Sequence, residues 1–417
     1  MTKLKDSGIP WIGEIPEHWV NCRFKDFLNL KSDIYSKNKI GLENIEPDSG
    51  KFIETESQFD GLGTHFIRHD VIYGKLRPYL RKVWVAEFEG SAVGDFYVFS
   101  CKKNVTPNYV KYLLLSEGFT QVVLGSVYGS KMPRVASEFI LNLPFFVPPL
   151  GEQERIAAYL EEKCGEVDEL IDVEQQMISD LESYRQAVIT EAVTKGLKPD
   201  VPTKDSENAW IGHIPEHWES IPVQHFFEFR NGYTPSKANS SFWTNGTIPW
   251  FRMEDIRKSG RFLKESLQYI TPEAMNNGGT FEAGSFILAI CTASIGEHAL
   301  LIADSLANQR FTNLKIRKSL SDRIDTKYIF YYMFILGRFC KDTSIVTTFP
   351  YADITRVKNF IVPTPPITEQ QKIAAYIDAK CAEIDELIKV KQEKIETLKQ
   401  YRQSLIFEAV TGKMTIA

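Results

Sequence analysis

The chain carries one plan twice. Trp11-Ile12-Gly13-Glu14-Ile15-Pro16-Glu17-His18-Trp19 returns as Trp210-Ile211-Gly212-His213-Ile214-Pro215-Glu216-His217-Trp218, and the stretch from Pro148-Pro149 to Leu197 returns from Pro365-Pro366 to Met414. About half the positions of this second pair are identical. The blocks between them, Val20 to Val147 and Glu219 to Pro363, share little sequence, and the later one is longer. A duplicated scaffold with two divergent inserts predicts two related halves that hold two different recognition surfaces.

The constant blocks read as long helices. Leu160, Cys164, Val167, Ile171, Glu174, Ile178, Leu181, Arg185 and Val188 alternate steps of four and three, the spacing of a coiled-coil seam. The second copy repeats it with Ile377, Cys381, Ile384, Ile388, Lys391, Ile395, Leu398, Arg402 and Leu405. The apolar members Leu160, Val167, Ile171, Ile178, Leu181, Ile377, Ile384, Ile388, Ile395 and Leu398 are the candidate pairing residues. Each seam holds one mid-length charge, Glu174 in one and Lys391 in the other, and a pair of opposite sign would fix register at some cost in stability.

Pro148-Pro149 and Pro365-Pro366 stop the preceding strands, Gly151 and the Thr368/Gln371 pair are candidate N-terminal caps, and Gly196 and Gly412 are C-terminal stops. At about 1.5 Å per residue, each helix is a rod of about 60 Å. The first helix leaves one variable block and delivers the chain to the other, and the second has to turn back, so antiparallel pairing is expected. Packing of each helix on its own domain, or an intermolecular coiled coil, is the competing arrangement.

The variable blocks read as strand-rich. Phe66 to Val85 alternates apolar and polar residues with Gly and Pro punctuation, and 284–290 and 313–317 look like strands. Short helices are expected at 108–115 and 326–336. The fold class that follows is α+β: two strand-rich domains separated by two long antiparallel coiled-coil helices, with an internal pseudo-two-fold repeat. The boundaries are 1–147 and 198–363 for the domains, 148–197 and 364–417 for the helices.

At 417 residues and 43% hydrophobic content, each half can bury a core. The beginning of the chain has no apolar signal region, and runs such as 286–290 are too short to span a bilayer, so a soluble cytoplasmic protein is expected. The six cysteines form no C-x-x-C pair, which argues against zinc and against a secreted disulfide framework. Net charge of −5 appears unfavourable for nucleic acid. The segment 152–195, however, holds twelve carboxylates against four bases, so that it alone carries −8 and the rest lies near +3. Two mildly positive domains beside an acidic rod can bind DNA, weakly without a partner.

Basic, aromatic-bearing stretches occur in both variable blocks. In the first block the candidate DNA-binding residues are Lys75, Arg77, Arg81, Lys131 and Arg134. In the second they are Tyr233, Thr234, Ser236, Lys237, Arg252 and Arg310. Lys and Arg neutralise phosphates, while Arg, Ser and Thr also read base edges in the major groove. A solvated strand face is the competing reading of such charges.

Catalytic motifs are missing. Both Pro-Pro pairs lack the Asn or Asp and the aromatic neighbour with which a stand-alone adenine methyltransferase would hold a flipped base. Pro47-Asp48 and Pro199-Asp200 are not followed by an Asp/Glu-x-Lys triplet, and 125–131 has the wrong spacing for a phosphate-cradling loop. His65/His69 and His213/His217 make poor metal pairs, the first for want of a Glu and the second because a proline lies between.

Several phrases together resemble the DNA specificity subunits of type I restriction–modification systems. They are the Trp-Ile-Gly-x-Ile-Pro-Glu-His-Trp entry at 11–19 and 210–218, Gly74-Lys75-Leu76-Arg77-Pro78-Tyr79-Leu80, Ile248-Pro249-Trp250, Pro-Pro-x-x-Glu-Gln at 148–153 and 365–370, and the Ile-Ala-Ala-Tyr openings of both helices. The resemblance covers essentially the whole chain. It implies a non-catalytic subunit whose two target-recognition domains each read half of a split, asymmetric DNA site, with the helices as spacer. It implies as partners double-stranded DNA, two modification subunits that methylate adenine, and restriction subunits that translocate and cut. S-adenosylmethionine, ATP and Mg would sit on those subunits, with no cofactor or metal in this chain. A coiled-coil scaffold or adaptor without DNA specificity is the alternative.

Overall fold

A computed structural model describes residues 3–129, 131–276, 278–345 and 350–416. Ser130 of the 125–131 loop and the outermost residues of the terminal boundaries, Met1, Thr2 and Ala417, lie outside them. The chain forms two compact units, Met1–Met177 with Val390–Ala417, and Ile178–Lys389.

In the first unit, a four-stranded sheet runs in the order Leu28–Leu30, Phe96–Cys101, Val71–Gly74, Val83–Val85. A second sheet orders Ile34–Tyr35, Gly63–Phe66, Gly90–Ala92 and Lys39–Ile40. The second unit repeats the order of the first of these sheets and adds a strand to it. Its five-stranded sheet orders Phe227–Asn231, Phe311–Ile316, Phe286–Ala289, His298–Leu301 and Phe262–Leu263, beside a three-stranded sheet of Tyr269–Ile270, Ile248–Phe251 and Leu306–Ala307. Each unit also has an entry hairpin, Leu4–Asp6 with Glu14–Pro16 and Thr203–Asp205 with His213–Pro215. The strand leading out of each hairpin, Val20–Arg23 or Glu219–Pro222, pairs with the strand before the long helix, Pro144–Val147 or Ile361–Thr364. The variable blocks therefore share the order of four main-sheet strands that their sequences do not display, while the smaller sheets differ, with Gly90–Ala92 between its neighbours in one and Ile248–Phe251 in the other.

The long helices run Leu150–Lys195 and Ile367–Val410. Every seam position is buried or half-buried, among them Leu160, Val167, Ile178, Ile377, Ile384 and Ile395 fully, and Ile171, Leu181, Ile388 and Leu398 partly. Contacts inside each unit are antiparallel. Arg402 Nε lies 3.1 Å from Asp168 in the first unit, and Arg185 pairs with Asp385 in the second. These two ion pairs are the same pair in the two copies.

Glu174 meets its own repeat counterpart: its buried carboxylate lies 2.9 Å from Lys391 Nζ and 2.6 Å from Lys394 Nζ. The two ammoniums, Lys394 first, hold the carboxyl below the usual range. One detail of the helix starts differs from the sequence reading. The helices begin at Leu150 and Ile367, so Gly151 and Thr368 lie inside the first turn, and the carbonyls of Pro149 and Pro366 accept the first helical amides.

The repeated phrases act as latches between these elements. Glu152 at the start of the first helix accepts from Trp19 Nε1 at 3.1 Å and pairs with His18 at 2.8 Å, and Glu369 pairs likewise with His217 at 2.8 Å. Lys5 and Lys204 donate to the carbonyls of Trp19 and Trp218. Gln153, fully buried, accepts from the amide of Thr106 and donates to the carbonyls of Asn104 and Pro148, and Gln370 does the same with Asp325, Arg323 and Pro365.

His298 in the second unit lies between Phe330 and Phe334, and its Nε2 has no partner among the described residues. Burial, assisted by the Arg261 charge, pushes its imidazole down to about 3. An unfolded histidine titrates near about 6.5, so the unfolded chain takes up a proton that the folded unit refuses. Stability from this site is complete above the unfolded value and falls as pH drops toward the folded one, by roughly 1.4 kcal/mol per pH unit at most. Urea unfolding between pH 7 and pH 4 should show this loss, and His298→Leu should flatten it. An acid limb unchanged in the variant would assign it to other groups.

Candidate DNA interface

The first candidate cluster grows out of the central strand Val71–Gly74. The chain leaves this strand with the Lys75 amide donating to Asp95 O at 2.9 Å, bridges Leu76 to Arg134, and closes with the Arg77 amide on Pro133 O at 2.8 Å. Lys75, Arg77, Lys131 and Arg134 are thereby brought onto one loop cluster. Arg77 and Lys131 are exposed and make no ion pair among the described residues. Lys75 Nζ sits 5.2 Å from the Tyr97 ring centre.

Two of the five cations are held by carboxylates. Arg134 grips Asp95 through two hydrogen bonds of 2.9 and 2.8 Å, and its guanidinium holds that carboxyl below the usual range. Arg81 pairs with both Asp48 and Glu117. Bidentate pairing of this kind fixes the loop and leaves less positive charge for phosphates.

The second cluster gathers three loops. The Tyr233 amide donates to Ala307 O at 2.9 Å, the Thr234 hydroxyl to Gln309, and the Asn308 amide to Phe251 O. The Tyr233 hydroxyl is turned inward onto the Ala274 carbonyl. Trp250 forms the floor: its Nε1 donates to Tyr233 O at 3.0 Å, Trp243 packs edge-on against it at 5.0 Å, and the Arg252 guanidinium lies 5.9 Å from its ring centre and 3.4 Å from Glu254. Ser236, Lys237 and Arg310 are exposed, and neither Lys237 nor Arg310 makes an ion pair among the described residues.

These two clusters are not counterparts of each other. The loop that corresponds to 75–81 is 290–296, which sequence reasoning missed because Gly74-Lys75-Leu76-Arg77 and Ala289-Ile290-Cys291-Thr292 share no residue. Only the hydrogen-bond register reveals it.

Among the described residues no group of three or more His, Cys, Asp and Glu side chains is placed to hold a metal. His65 pairs with Glu89 and His217 with Glu369, each at 2.8 Å. The six cysteines are unbridged, and burial raises the thiols of Cys22, Cys101 and Cys340 to about 12. No helix among the described residues is long and apolar enough to cross a membrane.

The family model described as "Type I restriction modification DNA specificity domain" matches twice, at residues 16–183 and 215–397. The chain is 45% identical over 147 residues to the EcoprrI specificity subunit of Escherichia coli, a match that spans 35% of this chain and 36% of that one. It is 23% identical to the MjaVIII specificity subunit of Methanocaldococcus jannaschii over 96% of this chain and 94% of the relative. Among solved structures, a chain from work on complex assembly and conformational transition of the type I R-M system aligns with a TM-score of 0.71 at 18% identity, covering 96% of this chain and 99% of that one. The HsdS subunit from Thermoanaerobacter tengcongensis aligns at 0.51 and 19% identity over 96% and 98%. With its two matched domains and its shared fold, the chain belongs to the type I restriction modification DNA specificity family.

Proposed function

We propose that this chain is the sequence-specificity subunit of a type I restriction–modification enzyme, with residues 1–147 and 198–363 each reading one half of a bipartite DNA site. The observation that carries this reading is that two domains repeat one main-sheet order while their loops differ in sequence at equivalent places. A constant frame with variable loops separates positioning from specificity. The chain itself supplies no reaction. Methylation of adenine, with S-adenosylmethionine, and cleavage, with ATP and Mg, belong to modification and restriction subunits, two of the former per complex. The paired helices set the number of base pairs between the half-sites.

The helices also present a surface for those partners. Leu170, Val173, Met177 and Tyr184 recur at helical spacing outside the seam, and Leu387, Val390 and Tyr401 occupy the matching positions of the second copy, each between 42% and 54% exposed. An apolar stripe of this kind on a polar helix is a docking face.

The test is a block exchange in cells that also express the modification subunit, read by mapping methylated adenine across the genome. Replacing residues 20–147 with the block of a relative should change one half of a split motif and leave the other half and the spacer intact. A wild-type culture without any motif that depends on this chain would favour the scaffold alternative.

A further inference from the structure

Each domain departs from its central strand in the same way, although the residues differ. In the first, Lys75 N donates to Asp95 O, Val135 N to Lys75 O, and Arg77 N to Pro133 O, at 2.9, 3.3 and 2.8 Å. In the second, Ile290 N donates to Arg310 O, Ala352 N to Ile290 O, and Thr292 N to Pro350 O, at 3.0, 2.8 and 2.7 Å. The bridges Leu76 to Arg134 and Cys291 to Tyr351 are likewise matched. Arg77 and Thr292 then both enter the left-handed region, at φ of 51° and 67°, Arg77 just before the short 3-10 turn Pro78–Leu80 and Thr292 as the first residue of the turn Thr292–Ser294.

A left-handed conformation is uncommon for arginine and strained for β-branched threonine. Packing does not demand it of either side chain, since Arg77 is exposed and Thr292 half-exposed. The kink follows a strand interior to its sheet in both domains, with its backbone clamped from the neighbouring segment. Two domains that share almost no sequence in these blocks have kept this backbone and changed the side chain on it. That is the pattern expected of a position whose side chain is selected for what it reads.

We infer that Arg77 and Thr292 are equivalent specificity-determining residues, each contacting a base edge in its own half-site. This rests on the proposed DNA-reading function. Arg77 carries the planar fork that matches guanine O6 and N7, whereas Thr292 offers a hydroxyl and a methyl suited to other edges. In the second domain, the reader is therefore on the 290–296 loop, and the 233–237 loop serves to position the backbone.

The experiment uses the full chain assembled with its modification subunit. Methylation rates are measured on duplexes carrying every single-base change in the wild-type motif. Asparagine tolerates the left-handed region and pairs with adenine N6 and N7. Arg77→Asn should therefore move one guanine position of the first half-site toward adenine, by about tenfold or more in relative rate. Thr292→Asn should shift one position of the second half-site toward adenine, with the first half unchanged. Arg77→Gly and Thr292→Gly relieve the backbone and should relax the same single positions. A uniform fall in rate across all duplexes, or no change in preference, overturns the inference while leaving the wild-type motif and the broader function in place. Absence of any wild-type motif is the separate failure of that function.

Discussion

Arg402→Ala should destabilise the first unit by about 3 kcal/mol, and Arg185→Ala, the same change in the other copy, should cost the second unit less than about 1 kcal/mol. The two arginines occupy one seam position and face the same aspartate of the repeat, but their surroundings differ. Arg402 is 5% exposed, beside an Asp168 that is 17% exposed, and its guanidinium also donates to Asp48 O at 2.6 Å. Arg185 is 31% exposed and Asp385 64%.

Removing one member of a buried pair leaves the other desolvated without its counter-charge, which is where the large costs arise. Lys51 still reaches Asp168 at 3.0 Å and compensates in part, hence the lower end of the usual range. Water and mobile side chains screen the Arg185 pair. Hydrogen exchange on the intact protein resolves the two effects, because every 1.4 kcal/mol is a factor of about ten. Protection of the most stable amides in residues 71–113 should fall more than about a hundredfold in Arg402→Ala. Equal and small losses in both variants would show that burial of the first pair carries no energetic weight.

The contrast explains why much of the scaffold was legible in the sequence and much of the interface was not. Seam residues such as Leu160, Ile178, Ile377 and Ile395 announce themselves because a helix repeats its buried face locally, every three or four residues. Glu174 and Lys391 could be matched for the same reason. The sheets of the variable blocks use strands of two to six residues paired across long sequence gaps, as Leu28–Leu30 pairs with Phe96–Cys101. No local period encodes such a pairing.

Charges read from a list suffer likewise. Arg81 and Arg134 are each held by carboxylates distant in sequence, Asp48 and Glu117 for the one and Asp95 for the other, and no list of charges reveals those pairings. The equivalence of Arg77 and Thr292 left no residue identity to find. It exists in backbone hydrogen bonds alone.

Gln153 and Gln370 carry the other large effect. Each side chain is fully buried and satisfies three backbone groups where the strand, the long helix and a domain loop converge: Thr106 N, Asn104 O and Pro148 O in one unit, Asp325 N, Arg323 O and Pro365 O in the other. Leucine fills a similar volume and makes none of these bonds. Orphaned buried amides and carbonyls cost about 1–3 kcal/mol each, so Gln370→Leu should destabilise its unit by about 3–5 kcal/mol.

Glutamate distinguishes lost hydrogen bonds from lost packing. Gln370→Glu keeps the acceptor for Asp325 N but sets a second oxygen against two carbonyl oxygens, which favours the protonated acid in the folded state and raises the folded pKa of the new carboxyl above its unfolded value. The stability it contributes is then complete below the unfolded value and lost as pH rises through the folded one. Urea midpoints should thus improve for Gln370→Glu, relative to the parent, as pH falls from 7 toward 4, while Gln370→Leu stays uniformly low. If both variants matched the parent at every pH, the convergence of the three elements would be held by the apolar core around Trp218 and Ile373, and the glutamine latch would be dispensable.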